Sequence, residues 1–397
     1  MRILRIFYDW PGKWDGLAPA GYEVTKEQVK QGHKVTVMCG YWRSNPPELL
    51  DNVNIISTFR EPAHGWLFFT SSIILFFKYF LWRNKYKVDV IHSHGHFAIW
   101  IYLYRKIIKN IPFLKNFEYE PAFVVHFHNT FKGRWESLKA EGKTISKMSE
   151  KIFYPLGVLS DKWSLEVCDK AIFVAENLLE EAVKFYNADR SKCVVIESGV
   201  NTELFKRVSQ IERQKTRAEL GFDEFDKVII NYGKMVARKN IVALIKSISL
   251  LPINYKLILI GEGPKDYQTE IMNAIADGQL SRRVKTFGYA DYRQISVPLQ
   301  AADVFVLPSD FEGLPKAILE ALSTEMPVVY SGFDFKEPIL GAFKLKEKTP
   351  QAIAEAVFEI TQKQPIMDIE KFRITYSWKS KAYAMQKIYE EILNKKS

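Results

Sequence analysis

The sequence predicts an α/β protein built from two doubly wound, Rossmann-like domains. Its 397 residues are enough for two domains with separate cores. Apolar runs of strand length alternate with helical patterns along most of the chain, which is typical of parallel sheets with helical crossovers. The clearest such unit is Asp303–Ser331, DVFVLPSDFEGLPKAILEALSTEMPVVYS, which predicts a strand, a loop, a helix and a second strand.

The composition is that of a globular protein, with 47% hydrophobic and 26% charged residues. A net charge of +10 indicates an anionic partner, such as a phosphorylated substrate, anionic lipid or nucleic acid. The three cysteines include no C-x-x-C pair, so neither a disulfide framework nor a zinc ribbon is indicated. Because Met1–Tyr8 runs directly into a strand pattern instead of a secretory signal, we expect a cytoplasmic protein.

The first domain opens with a predicted β-α-β unit. A strand over Arg2–Tyr8 is followed by the loop Asp9–Gly21, a helix over Tyr22–Gln31 and a strand over Lys34–Cys39. The long loop follows the carboxyl end of the first strand, where open α/β sheets bind ligands. No G-x-G-x-x-G is present, so a dinucleotide site is not indicated.

Two helices of the first domain are predicted to be both basic and aromatic. Trp66–Trp82, WLFFTSSIILFFKYFLW, is the most apolar window of the chain but is short for a membrane span. Ile99–Asn116 carries Arg105, Lys106 and two further lysines. Such helices either pack in the core or rest on an anionic bilayer surface, and the sequence leaves both alternatives open.

Histidines end two apolar strands, in the patterns His92-x-His94-x-His96 and His126-x-His128. Strand alternation places each group on one face, so a metal centre must be considered. An amidohydrolase-like site would need further histidine and aspartate ligands later in the chain, and no histidine follows His128. We therefore expect no metal and no other cofactor.

The second domain is predicted to follow a polar linker, Lys206–Lys227, and to begin with the strand Val228–Asn231. Its first loop contains Gly233-Lys234 and, after four residues, Lys239. Both lysines could contact a pyrophosphate, although they could also be solvated loop residues. A lysine lacks the bidentate geometry of arginine and acts as a point charge.

Two carboxylates mark the loop and helix of the Asp303–Ser331 unit. Glu312 precedes the helix, whereas Glu320 lies within it among apolar residues. A carboxylate on so apolar a helix is paired, ligand-bound, at the edge of a cleft, or exposed to solvent. The amides of Gly313, Leu314 and the first turn form an anion site, and Pro315 suits the first helical position. These groups suit a ligand with phosphates and hydroxyls.

Glu312, seven residues and Glu320, inside PSDFEGLPKAILEA, resemble the E-x7-E signature of the retaining GT-B glycosyltransferases of family 4, also named group 1. The chain departs from the family at Glu325, where a small residue or glycine is usual. Further segments resemble family motifs: Asp89–His94, Val124–Thr130, Val194–Phe205, Gly233–Lys239, Gly261–Pro264, Val284–Tyr289, Ser377-Trp378 and Ile388-Tyr389.

The resemblance implies a GT-B fold, with two Rossmann-like domains facing across a cleft. It places an acceptor-side domain at residues 1–205, a nucleotide-sugar-binding domain at 206–374, and a helix returning to the first domain at 375–397. The implied activity is a metal-independent, retaining transfer of a hexosyl or other sugar to an acceptor hydroxyl. The acceptor would be a carbohydrate, or a lipid-linked or cell-surface polysaccharide precursor.

The family motifs assign catalytic roles to Glu312, His128 and Lys239, and Lys234 stands where the family has arginine. In relatives the second glutamate of the signature holds ribose hydroxyls and the first holds sugar hydroxyls. The implied donor-binding residues are Gly16, Gly21, Gly233, Lys234, Lys239, Gly288, Tyr289, Glu312, Gly313, Leu314, Pro315 and Glu320.

The expected partners are a UDP- or GDP-linked sugar, the acceptor, and anionic membrane at its inner face; no nucleic-acid motif is present. Three alternatives remain open. A nucleotide-sugar epimerase would share the fold but would need its own acid and base. A basic nucleic-acid-binding protein would explain the charge. A non-catalytic partner subunit is the third alternative, which retention of both glutamates argues against.

Overall fold

The computed structural model describes residues 1–10, 18–40, 48–59, 67–82, 87–95, 98–112, 121–140, 145–363, 365 and 367–396. The chain forms two compact units, Met1–Ser198 with Trp378–Ser397, and Gly199–Ser377. The domains predicted from the sequence were divided at residues 205/206 and 374/375. Val200 and Phe205 belong to the second unit because both are buried in its core.

The strands of the first unit are β1 (Arg2–Ile6), β2 (Lys34–Gly40), β3 (Val53–Phe59), β4 (Val90–His94), β5 (Ala122–Phe127), β6 (Lys170–Phe173) and β7 (Cys193–Val195). Those of the second are β8 (Lys227–Tyr232), β9 (Tyr255–Ile260), β10 (Val284–Phe287), β11 (Val304–Pro308), β12 (Val328–Ser331) and β13 (Ala342–Lys344).

The α-helices, in chain order, are α1 (Ala18–Lys30), α2 (Leu67–Trp82), α3 (Ile99–Asn110), α4 (Phe131–Ala140), α5 (Tyr154–Val167), α6 (Glu176–Tyr186), α7 (Gln210–Glu219), α8 (Ile241–Ile248), α9 (Lys265–Asp277), α10 (Ser296–Ala301), α11 (Lys316–Ser323), α12 (Pro350–Lys363), α13 (Ile369–Tyr376) and α14 (Trp378–Lys396). A π-helical turn precedes α5 at Ser149–Phe153, and 3₁₀ turns occur at Arg190–Lys192 and Ala237–Lys239.

Each unit contains one parallel sheet. The strand order is β3-β2-β1-β4-β5-β6-β7 in the first unit and β10-β9-β8-β11-β12-β13 in the second. Both orders run outward from a central pair of strands, as in doubly wound α/β folds, and the fold class predicted from the sequence is confirmed. Strands β5 and β11 are buried along their whole length, which explains their nearly continuous apolar runs.

Several predicted helices differ from the observed ones. Helix α1 begins at Ala18, so Gly21 is helical and does not lie in a loop. Pro315 precedes α11 instead of opening it, because its ψ of 120° is extended. The segment predicted as one C-terminal helix from Thr375 is divided at Ser377, which forms a parallel β-bridge with Val200.

The predicted helix Ile99–Asn116 is shorter in the structure, since α3 ends at Asn110 and residues 113–120 lie outside the described part of the chain. Helix α2 begins at Leu67, the first described residue of that segment. Among the helices that the structure describes, none combines the length and the apolar character needed to cross a bilayer.

Candidate functional site

The loops at the carboxyl edge of the second sheet pack closely because they contain glycines. Gly261, which follows β9, has a φ of +135°, and a Cβ there would lie 2.1 Å from the carbonyl oxygen of Gly233. A Cβ on Gly263 would lie 1.7 Å from the carbonyl oxygen of Met235. No side chain fits in either gap, so the loops after β8 and β9 contact each other through backbone.

Three contacts hold Glu312 at this edge. Its carboxylate forms an ion pair with Arg238 at 2.8 Å and accepts a hydrogen bond from Ser309 Oγ at 3.0 Å. Its backbone N–H donates to the carbonyl of Gly332 at 2.9 Å, and Arg238 also donates to the Phe311 carbonyl at 2.7 Å. With 11% of its side chain exposed, Glu312 is fixed in orientation yet reaches the surface.

Arg238 adjoins Lys239 in the same loop but was not among the site residues predicted from the sequence. Lys234 occupies the position at which the family has arginine, but an ammonium group cannot form bidentate hydrogen bonds. The guanidinium of Arg238 can form them. In the sequence, Arg238 is the third basic residue within Gly233–Lys239. Its contact with Glu312 is visible only in the structure.

Lys239 lies against Gly233, whose φ is +118°. A Cβ on that glycine would be 2.8 Å from Lys239 Nζ, so the glycine makes room for the ammonium group. Burial lowers the pKa of Lys239, the charge of Glu312 raises it, and the charges of Arg238 and Lys234 lower it. The three cations Lys234, Arg238 and Lys239 outnumber the single Glu312 carboxylate, and this excess of positive charge suits an anionic ligand such as a diphosphate.

Glu320 is buried on α11, with 5% of its surface exposed, and its Oε2 accepts a hydrogen bond from the Tyr232 hydroxyl. Of the alternatives left open for a carboxylate on this apolar helix, the structure shows that Glu320 is paired, with Tyr232. Burial raises the pKa of Glu320, while the hydrogen bond from Tyr232 and the charge of Lys316 lower it. Tyr232 ends β8 and adjoins Gly233, so the pair lies at the carboxyl edge of the sheet.

The amides predicted to form an anion site lie in the loop between β11 and α11. Gly313 and Leu314 are half-buried, and a Cβ on Gly313 would meet nothing within 4 Å. Pro315 caps α11 without a side-chain hydrogen bond to the first turn. The amino terminus of α11 is therefore a donor surface beside Glu312.

Gly288 and Tyr289 follow β10 and are organised by Glu262. Oε1 of Glu262 accepts a hydrogen bond from the Tyr289 amide at 3.3 Å, and a Cβ on Gly288 would lie 3.3 Å from the same oxygen. The Gly261 amide donates to the Gly288 carbonyl at 3.1 Å. Tyr289 itself is 56% exposed, so its ring is accessible for stacking.

The predicted residues of the first unit are placed differently. Gly16 lies outside the described residues. Gly21 is buried in α1, where a Cβ would come within 2.4 Å of the Phe7 ring, so close packing accounts for this glycine. Contact of Gly21 with a donor stays a prediction. His128 is half-buried directly after β5, at the carboxyl edge of the first sheet.

Behind His128 lies a buried histidine cluster. His92 Nδ1 is hydrogen-bonded to the Tyr389 hydroxyl of α14, and His92 Nε2 is 3.3 Å from His126 Nδ1. His94 Nε2 is 2.6 Å from Arg5, and His94 Nδ1 is 3.1 Å from His128 Nε2.

Burial lowers the pKa of the three buried imidazoles of His92, His94 and His126, and the charge of Arg5 acts in the same direction. The three side chains are therefore neutral near physiological pH.

The nitrogens of His92, His94 and His126 lie within 4.8 Å of one another, which is close enough to ask whether they hold a metal ion. Two observations argue against it. Both nitrogens of His94 are already in hydrogen bonds, and the His92 and His94 rings are stacked at 4.5 Å with only 7° between their planes. Parallel rings cannot both direct an in-plane lone pair at one ion, and the Arg5 cation would repel it.

Two family models match the chain. "Glycosyltransferase Family 4" matches residues 14–204, and "Glycosyl transferases group 1" matches residues 212–371. An uncharacterized glycosyltransferase of Methanocaldococcus jannaschii is 26% identical over 343 residues, which are 83% of this chain and 80% of that protein.

An Escherichia coli enzyme named UDP-Gal:alpha-D-GlcNAc-diphosphoundecaprenol alpha-1,3-galactosyltransferase is 30% identical over 165 residues, which are 39% of this chain and 40% of that protein. Among solved structures, Anabaena HepE in complex with UDP has a TM-score of 0.66 at 17% identity, covering 100% of this chain and 98% of that one. At this identity the likeness shows the fold, which is GT-B.

The raised pKa of Glu320 predicts a pH-dependent stability. Because the folded protein holds this proton more tightly than the unfolded chain, wild-type stability falls as pH rises from the usual pKa of 4.5 towards the raised one. Glu320→Gln can keep the hydrogen bond from Tyr232 but cannot ionise. We expect its free energy of unfolding to increase relative to wild type as the pH rises above about 4.5, measured by urea unfolding. A difference that is constant or grows towards acid would contradict this assignment.

Proposed function

Because this chain belongs to the group 1, or family 4, glycosyltransferases, we propose that it transfers a sugar from a nucleotide-sugar donor to an acceptor hydroxyl, with retention of anomeric configuration. The observation that carries the proposal is the pair Glu312 and Glu320, held with three cations at the carboxyl edge of the second sheet. Carboxylates accept hydrogen bonds from sugar hydroxyls, whereas cations and free amides bind diphosphates.

In this proposal Glu320 binds the ribose of the donor. Oε2 accepts a hydrogen bond from Tyr232, and in this proposal Oε1 accepts one from a ribose hydroxyl. Tyr232 fixes the carboxylate before the ligand arrives, which lowers the entropic cost of binding. Tyr289, which is exposed after β10, would stack on the base.

Glu312 and its cations would act on the transferred sugar and the leaving diphosphate. Arg238 and Ser309 both contact Oε1 and orient the carboxylate. In this proposal Oε2 accepts hydrogen bonds from the sugar hydroxyls. As the glycosidic bond breaks, negative charge develops on the diphosphate, and Lys239, Arg238 and the α11 amides stabilise it. Binding of that anion favours the charged form of Lys239, offsetting the effect of burial on its pKa.

We further propose that the reaction needs no metal ion. The sequence contains no D-x-D, the usual acidic pair for a metal bridging a diphosphate. Lys234, Arg238 and Lys239 supply the positive charge that such an ion would otherwise provide.

Lys239→Met tests both the function and the role of this cation. We expect free nucleoside diphosphate to be released from a UDP- or GDP-sugar by wild type, in the presence of EDTA, and turnover to fall roughly 10²-fold in the variant. Its free energy of unfolding should stay close to wild type, because methionine keeps an unbranched side chain of similar length without a buried charge. Lys215→Met, at an exposed position on α7, is the matched control.

Full turnover by Lys239→Met would refute the role of this lysine. Interconversion of nucleotide sugars without release of nucleoside diphosphate would indicate an epimerase instead.

The acceptor side of the proposal rests on α2. Ile73, Phe77 and Leu81 are 55%, 59% and 76% exposed, and their spacing places them on one face of the helix. Lys78 is exposed beside them. An apolar face flanked by a cation suits the interface of an anionic bilayer. We propose that this face contacts the membrane and that the acceptor is lipid-linked, as the printed name of the Escherichia coli relative states for that enzyme.

Phe77→Asp tests the membrane contact. We expect wild type to co-sediment with anionic vesicles at low salt, less so at high salt, and the variant to lose this binding because a charge enters the apolar face. Phe225→Asp, at a 74% exposed position of the second unit, should bind like wild type. If both variants bind the vesicles equally, or if wild type does not bind them, the proposed contact of α2 with the membrane is wrong.

A further inference from the structure

A buried chain of hydrogen bonds in the first unit ends at His128. It starts at Arg5 of β1, which is 0% exposed, and runs through His94 of β4, which is 4% exposed. Arg5 Nη1 lies 2.6 Å from His94 Nε2, and His94 Nδ1 lies 3.1 Å from His128 Nε2. The chain thus links the interior of the sheet to a half-buried residue at its carboxyl edge.

The direction of each hydrogen bond follows from chemistry. A guanidinium only donates, so His94 Nε2 must accept and the single proton of this imidazole is on Nδ1. That N–H donates to His128 Nε2, which therefore carries no proton. The proton of a neutral His128 is then on Nδ1. Two hydrogen bonds fix the tautomers of both histidines.

The surrounding residues prevent the chain from rearranging. Gln28 accepts a second hydrogen bond from Arg5, so the guanidinium is held at two points. The His94 ring packs edge-on against Phe7 at 4.7 Å and is stacked on His92. A flipped His94 would turn a carbon towards Arg5 and leave a buried charge without this acceptor, which is costly.

We propose that Arg5 and His94 are positioning residues that hold His128 as a neutral imidazole, so that its Nδ1–H, at the carboxyl edge of the first sheet, donates a hydrogen bond to an oxygen of the substrate. The inference rests on the proposed function for the identity of the ligand, but the tautomer does not depend on it. A proton added to His128 Nε2 would face the N–H of His94. His128 therefore acts as a fixed donor and transfers no proton through Nε2.

The tautomer of His128 is the direct test. The full-length protein, labelled with ¹⁵N in its seven histidines, gives two-bond ¹H–¹⁵N correlations that identify the protonated nitrogen of each ring. Loss of one set of signals in His128→Gln assigns that residue. We expect His128 of wild type to be neutral near pH 7 with its proton on Nδ1. A proton on Nε2, or a doubly protonated ring, would overturn the proposal.

Two matched variants test the role of His94. His94→Phe keeps the stacked ring but removes both hydrogen bonds of the chain, whereas His92→Phe removes two hydrogen bonds from the same stack without touching His128. We expect His94→Phe to move the proton of His128 to Nε2 and to lower kcat/KM for the donor roughly tenfold. His92→Phe should leave the tautomer in place.

The outcomes separate this proposal from the proposed function. If His94→Phe does not fold, the spectrum of wild type still decides the tautomer. If the tautomer is as expected but no nucleotide sugar is consumed, the proposed function fails and the positioning of His128 stands. If both variants leave the tautomer unchanged, Arg5 and His94 do not position His128.

Discussion

The candidate site depends on the backbone contact between Gly233 and Gly261. Only glycine fits at both positions. Gly233 has a φ of +118°, and a Cβ on Gly261 would lie 2.1 Å from the carbonyl oxygen of Gly233. The missing side chain of Gly233 leaves the space in which Lys239 Nζ lies, and Lys239 is coupled to Arg238 and Glu312. The same strand end carries Tyr232, which orients Glu320. The end of β8 and the loop after it therefore supply Tyr232 beside Glu320, and Arg238 and Lys239 beside Glu312.

The Asp303–Ser331 unit could be read from sequence because its signals are local. Strands buried on both faces have apolar runs, and the loop residues mark their own turn. The partners of its carboxylates could not be read, since Tyr232 is 88 residues from Glu320 in the chain. The role of Arg238 could not be predicted for the same reason, because its partner Glu312 is distant in the sequence, although Arg238 adjoins the predicted site residue Lys239. The start of α1 was misplaced because Gly21 is accommodated by a tertiary contact with Phe7.

The histidines show a different limit of sequence reasoning. Alternation places His92 and His94 on one face of β4, but the choice between a metal site and a hydrogen-bonded cluster depends on what faces them. Their partners are Arg5 and Tyr389, and Tyr389 is 297 residues from His92. Helix α14 returns to the first unit and covers the cluster, so the C-terminal segment contributes to the support behind His128. This arrangement follows from tertiary structure alone.

The central claim is that Glu320 binds the donor, and isothermal titration calorimetry tests it most directly. The titrants are UDP, GDP and ADP, and the comparison uses the one that wild type binds most tightly. We predict that Glu320→Ala weakens binding by about 1.5–3 kcal/mol, because a ribose hydroxyl loses a charged acceptor. Glu325→Ala, which removes a carboxylate just after the other end of α11, should bind like wild type. Unchanged affinity in a folded Glu320→Ala protein would contradict the account.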